Sequence, residues 1–194
     1  AANKTESYAL VAPSKIARIT DRENAEKDEE VTVSYKYKKD PALVGTMVHQ
    51  LMEYLVRSKD ALNSKTAIDA ILREYGVFED PFYRNVLVTV LSTIRNGGYP
   101  QKNNAPQDIL KELLSADEVF CELPFTWAED NTVYNGIMDV VYRKGKQWFI
   151  VDYKTNSDPD DLDEIYAGQL EAYKKAFLAF RKETAMTMIY HIDI

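Results

Sequence analysis

The run Asn135-Gly136-Ile137-Met138-Asp139-Val140-Val141-Tyr142, the turn Arg143-Lys144-Gly145-Lys146 and the run Trp148-Phe149-Ile150-Val151-Asp152-Tyr153-Lys154-Thr155-Asn156 leave few choices for what this chain folds into. Two β-rich apolar runs joined by a short glycine-bearing turn read as neighbouring strands. Each is interrupted by one aspartate, and Lys154 follows Asp152 by two positions. Side chains alternate across a strand, so Asp152 and Lys154 share a face while Tyr153 points away. Two carboxylates and an ammonium at adjacent strand ends suit a hard divalent cation such as Mg²⁺, which takes one or two protein carboxylates and keeps its waters. A surface salt bridge between Asp152 and Lys154, with Asp139 at a strand end, satisfies the same pattern, and these three residues alone leave both readings open.

Helical signals flank this hairpin. Asp40-Pro41 reads as an N-cap followed by proline at the first helical position. Val44, Met47, Val48, Leu51, Met52 and Leu55 then recur at helical spacing to about Lys59. His49 lies at the edge of that stripe, one turn after Gly45. Glycine inside a helix costs about 1 kcal/mol relative to alanine, which points to a close approach by another backbone or a substrate at Gly45. Residues 64–115 read as a helical insert, with periodic segments at Lys65–Tyr75, Pro81–Arg95 and Pro106–Leu114, that packs and lines a substrate path.

From Glu118 the pattern changes to strand. Val119–Trp127 forms one, Glu129-Asp130-Asn131 turns into the next, and the two aspartate-bearing runs follow as a meander. Asn156–Asp161 breaks the sheet. A helix over Leu162–Lys182 is expected to bury Tyr166, Leu170, Tyr173, Phe177 and Phe180, with Gln169 and Tyr173 one turn apart. Ala185–Ile194 makes the last strand. Residues 1–30 are polar, end in a charge-dense run and read as a linker; Val31–Tyr37 alternates like a strand or extended arm. The outcome is one α/β domain over 31–194 with a mixed sheet, preceded by the 1–30 extension.

Composition narrows the function classes. The chain has 194 residues, 45% of them apolar and 28% charged, as in globular proteins. No run approaches the roughly 18 apolar residues of a membrane span, and no N-terminal signal is seen, so a cytoplasmic setting is expected. A single cysteine, Cys121, leaves no thiol set for disulfides, zinc ribbons or an iron–sulfur cluster, and its apolar neighbours make it a small core residue. The formal charge of −7 argues against holding nucleic acid by charge alone. No Gly-x-x-x-x-Gly-Lys-Ser/Thr loop is present, so the chain is not itself an ATP-driven motor.

Five elements occur in a recognisable order: Gly45-Thr46-Met47-Val48-His49, Glu122-Leu123-Pro124-Phe125, Gly136-Ile137-Met138-Asp139, Asp152-Tyr153-Lys154-Thr155-Asn156 and Gln169-Leu170-Glu171-Ala172-Tyr173. Spanning residues 45–173, they resemble RecB-type nucleases of the PD-(D/E)xK superfamily, and most of all the C-terminal nuclease domain of AddA/RecB helicase–nuclease subunits. The resemblance implies a restriction-endonuclease-like core, a central mixed sheet flanked by helices. It implies that His49, Asp139, Asp152 and the Tyr153 backbone carbonyl ligate Mg²⁺ or Mn²⁺, that Lys154 is the catalytic lysine alongside Asp139 and Asp152, and that Gln169 and Tyr173 line the site and contact DNA. Glu122 is implied as an indirect metal contact. The activity implied is exonucleolytic cleavage of DNA, single strands fed by a helicase motor on the same longer polypeptide and a partner subunit, in double-strand-break repair and recombination.

Other readings of the same residues remain. His49 can be a satisfied structural histidine, Gln169 and Tyr173 a buried pair that anchors a helix, and Glu122 a residue facing water beside Pro124 at a sheet edge. His191 reads as structural. The 13 tyrosines include candidates for stacking on single-stranded bases, although helical spacing places most in the core. From another class comes a catalytically inactive nuclease-fold module that binds DNA or scaffolds a complex. A stand-alone exonuclease of the CRISPR-associated RecB-like group is disfavoured, since many of its members carry four cysteines.

Overall fold

The computed structural model describes residues 9–11, 39–60, 63–129, 132–155 and 162–194. The strand expected over 31–37, the turn at Asp130-Asn131 and the break over 156–161 lie outside the described residues.

Helix α1 (Pro41–Arg57) starts as its sequence dictates: the Asp40 carboxylate accepts from the amides of Ala42 and Leu43, and Pro41 takes a position that needs no donor. Its stripe of seven buried residues, Val44 to Val56, is the spine of the larger core. Helices α2 (Ser64–Glu74), α3 (Pro81–Arg95) and α4 (Ile109–Leu114) are capped in the same way by Asn63, Asp80 and Asp108. They pack on α1 and on one another, so the helical insert is part of the main core.

The sheet is five-stranded and mixed. β2 (Glu118–Glu129) and β3 (Thr132–Lys144) pair antiparallel from Glu118↔Arg143 to Glu129↔Thr132. β4 (Gln147–Lys154) continues antiparallel to β3, from Lys144↔Gln147 to Val140↔Val151. β5 (Ala185–His191) lies parallel to β4, and α5 (Leu162–Ile165) and α6 (Ala167–Arg181) lie on the crossover that a parallel pair requires. A short β1 (Ala9–Val11), within the stretch expected to be only linker, runs parallel to the start of β3.

One face of the sheet, with Val140, Tyr142, Val151, Tyr153 and Tyr190, is covered by α1 and the insert. The other, with Met138, Val141, Trp148, Ile150 and Ile189, is covered by α5 and α6. The outer edge of β5 is closed by side chains: Gln101 accepts from His191 N–H and donates to its carbonyl, both at 2.9 Å, and Asn103 donates to the Ile189 carbonyl. His191 is accordingly buried beside this seal. The loop making the seal turns at Gly98, where φ is +77° and an added Cβ would lie 2.0 Å from the Gln107 carbonyl oxygen.

Three details differ from the sequence reading. The last helix breaks at Tyr166 into α5 and α6. Phe180, in phase with the buried stripe, is 72% exposed because the apolar cluster beneath α6 ends at Phe177. Helical phase sets which side a residue takes, not whether a partner stands opposite. Cys121 is half-buried at the rim of the core, and burial pushes its thiol up to about 11, which keeps it unreactive.

Candidate active site

The site forms where β3 and β4 part. Their last ladder pair is Val140↔Val151, and the next residues outward are Asp139 and Asp152. Beyond that point the Asp139 carboxylate replaces the missing strand, accepting from the Tyr153 N–H at 2.7 Å. α1 lies over the gap. His49 Nε2 donates to the Tyr153 carbonyl at 3.0 Å, and its Nδ1 stands 3.4 Å from Asp139 Oδ1. Gly45, one turn earlier, permits this approach, since a Cβ there would sit 3.2 Å from Thr155 Oγ1 at the end of β4.

β2 contributes through a backbone device that its sequence does not advertise. Glu122 has φ +53°, a left-handed conformation that costs a non-glycine residue about 1–2 kcal/mol. Before it, Val119 and Cys121 pack on the α1 side; after it, Leu123, Phe125 and Trp127 pack on the α6 side. Residues at even spacing share a face of a regular strand, so Glu122 is where β2 turns over. β3 changes phase at the same level, with Met138 and Val141 on the α6 side and Val140 and Tyr142 on the other. The turnover brings Glu122 to the site, where His49, Glu122 and Asp139 each offer a ligand atom within 4.8 Å of the others.

The donor set fits a divalent cation. With Nε2–H committed to the Tyr153 carbonyl, the bare Nδ1 of His49 faces a carboxylate, an arrangement that calls for a proton or a metal ion between them. Burial disfavours the charged imidazole, but the hydrogen bond to Asp139 and the charges of Asp139 and Asp152 outweigh it and raise the His49 pKa. The Glu122 pKa is raised too, first by burial and then by Asp139. A cation relieves both.

Asp152 is 2% exposed and fully engaged. Its Oδ2 pairs with the Lys154 ammonium. Its Oδ1 receives Gln169 Nε2 and lies 3.1 Å from the Tyr173 hydroxyl, which also has the Ile137 carbonyl at 3.1 Å and accepts from Gln169 at 2.6 Å. Burial and Asp139 push the Asp152 pKa up against the pull of Lys154. Burial works against the Lys154 charge, yet Asp152 and Asp139 prevail and raise its pKa, so the ammonium persists. The Lys154 Nζ also lies 4.5 Å from the centroid of the Tyr166 ring. The Asp152 carboxylate fixes the Gln169 amide orientation, which leaves Gln169 Oε1 as a buried acceptor with no partner among the described residues. That atom suits a water or hydroxyl donor, not a phosphate oxygen.

All the residues singled out in the sequence thus converge: His49, Asp139, Asp152, the Tyr153 carbonyl, Lys154, Gln169 and Tyr173. Glu122 joins the ligand atoms directly, a placement that Cys-Glu-Leu-Pro does not signal because nothing in it demands a positive φ. Over residues 19–192 the sequence matches the model of the PD-(D/E)XK nuclease superfamily. The chain belongs to that superfamily. Among PD-(D/E)XK proteins it is similar to an ATP-dependent helicase/nuclease subunit of Staphylococcus carnosus strain TM300, 24% identical over 163 residues that cover 75% of this chain and 12% of that protein. The corresponding proteins of Staphylococcus haemolyticus strain JCSC1435 and Staphylococcus saprophyticus strain ATCC 15305 are 25% and 23% identical, with the same shares covered. The chain therefore spans about an eighth of the length of these relatives and carries the α/β, restriction-endonuclease-like core expected of a PD-(D/E)XK nuclease. No helix among the described residues is long and apolar enough to cross a membrane.

Proposed function

We propose that this PD-(D/E)XK domain hydrolyses phosphodiester bonds of single-stranded DNA with Mg²⁺ or Mn²⁺, as the nuclease part of a longer helicase–nuclease polypeptide that works with a partner subunit in double-strand-break repair. The observation that carries this reading is the His49 ring nitrogen facing Asp139 and Glu122, beside a buried, lysine-paired Asp152.

His49, Asp139 and the Tyr153 carbonyl hold the cation in this reading. Glu122 contributes an oxygen directly or through water, and Asp152 shares Oδ2 between Lys154 and the ion. An imidazole in the set accommodates Mn²⁺ better than an all-oxygen site would. When bound, the cation lowers the pKa of a coordinated water and offsets charge on the phosphate. Lys154, held protonated, donates from Nζ to a phosphate oxygen and stabilises the charge that builds there. Gln169 and Tyr173 hold Asp152 in place, and Gln169 Oε1 accepts from the attacking water or a sugar hydroxyl. The chain's net charge of −7 leaves strand delivery to the motor and partner. The setting that follows is the cytoplasm, where the DNA is.

The test is cleavage of an end-labelled single-stranded oligonucleotide. Wild-type protein is expected to degrade it from an end with Mg²⁺ or Mn²⁺ and not in chelator, and Lys154→Ala is expected to lose about 10²–10³-fold in rate. Full activity in Lys154→Ala overturns the role of the lysine. A wild-type chain inert with either metal on single- and double-stranded DNA favours a non-catalytic DNA-binding module.

A further inference from the structure

The turned-over half of the β2–β3 hairpin carries a row of aromatics away from the site. Tyr173, whose hydroxyl lies against Asp152, meets Phe125 edge to face at 5.6 Å and 84°. Two residues on, Trp127 stacks on its cross-strand partner Tyr134 with centroids 4.7 Å apart and planes 23° apart. Between Tyr134 and Met138 on β3 stands Gly136, opposite Phe125, which leaves no side chain beyond Cα on that strand. The Lys175 ammonium, paired with Glu129, lies 5.3 Å from the Trp127 ring centroid.

An aromatic pair across a hairpin stabilises the hairpin, and core burial is the usual reason for rings this large. Here neither ring is buried: both are half-exposed, whereas Trp148, the other of the two tryptophans, is 1% exposed. The pair is also tied to the reaction site, since the Tyr173 hydroxyl bonds to the Ile137 carbonyl, three residues from Tyr134 on the same strand. At about 3.3 Å per strand residue that separation is about 10 Å, within reach of a nucleotide or two of extended single strand. Every base offers a π-face, so an aromatic platform there holds a strand without regard to sequence.

We propose that Trp127 and Tyr134 form a base-stacking platform that seats a nucleotide next to the cleaved bond of a single strand, with Lys175 beside it for a neighbouring phosphate. The proposal rests on the nuclease reading above and names a part of the substrate track that the reading leaves open. It also explains why Glu122 takes a strained conformation: turning the hairpin over serves the metal cluster and directs the aromatic row to the same side as Tyr173.

The test uses the Lys154→Ala chain with Mg²⁺, so that substrate survives, and intrinsic tryptophan fluorescence, which reports on Trp127 because Trp148 is enclosed. Oligothymidylate is expected to change the fluorescence and to bind about 5- to 150-fold tighter than an abasic oligonucleotide of equal length at equal salt. Tyr134→Leu, with its melting temperature checked, is expected to erase that difference. Equal binding and equal fluorescence change with the abasic strand overturn the platform, and this comparison needs no hairpin variant. Retention of the base preference by a folded Tyr134→Leu also overturns it. Metal-dependent cleavage by wild type without any base preference sinks the platform alone, whereas absence of cleavage by wild type sinks the nuclease reading itself.

Discussion

Replacing Lys154 with methionine isolates the electrostatics of the buried pair. The substitution keeps most of the side-chain volume and removes the one cation that faces Asp152 Oδ2. Asp152 is 2% exposed and the Lys154 side chain 17%, so solvent screens the pair little. Removing one partner of a buried pair costs about 3–5 kcal/mol, and the lower end applies here because Gln169 and Tyr173 still serve Oδ1. About 3 kcal/mol corresponds to a melting temperature about 6–12 °C lower for a chain of this size. The pH dependence has a definite sign. Burial and Asp139 already raise the Asp152 pKa, and loss of Lys154 raises it further. A carboxyl group whose folded pKa exceeds its unfolded value contributes stability at low pH that is lost as pH rises through the folded value. The deficit of Lys154→Met is therefore largest near pH 8 and shrinks towards pH 5, by up to about 1.4 kcal/mol per unit. Asp152→Asn in the same background should restore most of the loss. Thermal melts in chelator followed by circular dichroism measure all three. A Lys154→Met melt equal to wild type at pH 8, or a deficit unchanged at pH 5, would refute the reasoning.

Other perturbations follow from the same geometry. Gly98→Ala forces a Cβ onto the Gln107 carbonyl in a left-handed turn, and a loss of about 3 kcal/mol or more is expected in denaturant unfolding. Glu122→Gly relieves a left-handed φ and removes a partly buried charge, so in chelator it should melt higher than wild type, while calorimetric titration with Mn²⁺ should show weaker binding. Mn²⁺ at about a hundred times its dissociation constant should stabilise wild type by about 2.7 kcal/mol, or about 5–11 °C, and His49→Ala should lose most of that shift. Because the His49 pKa is raised and the metal competes with its proton, Mn²⁺ affinity should fall as pH drops below that pKa; a flat profile removes His49 from the ligand set.

What the sequence discloses and what it hides divide along physical lines. The start of α1 is legible because Asp40-Pro41 is a local signal, and the β3–β4 hairpin because period-two apolarity is fixed by the strand itself. The grouping of His49 with Asp139 and Asp152-Tyr153-Lys154 comes through resemblance, since 104 residues separate His49 from Tyr153 and no local rule brings them together. Glu122 reads in sequence as a peripheral contact because a positive φ in Cys-Glu-Leu-Pro is imposed by tertiary packing and leaves no trace in composition. Phe180 is misplaced by its phase because periodicity cannot report where the sheet ends. The double engagement of Asp152 by Lys154 and by Gln169 with Tyr173 depends on the β4–α6 packing, which spacing alone does not determine.

The central claim is that this chain builds its metal centre from His49, Asp139 and Glu122 at the parting of β3 and β4, with Asp152 and Lys154 alongside. A crystal soaked in Mn²⁺, with anomalous scattering used to locate the ion, tests it most directly. The expected result is an anomalous peak bonded to the His49 ring and the Asp139 carboxylate, with Glu122 in contact or one water away. A fully loaded crystal whose Mn²⁺ sits elsewhere, with His49 still 3.4 Å from Asp139 and nothing between them, would contradict it.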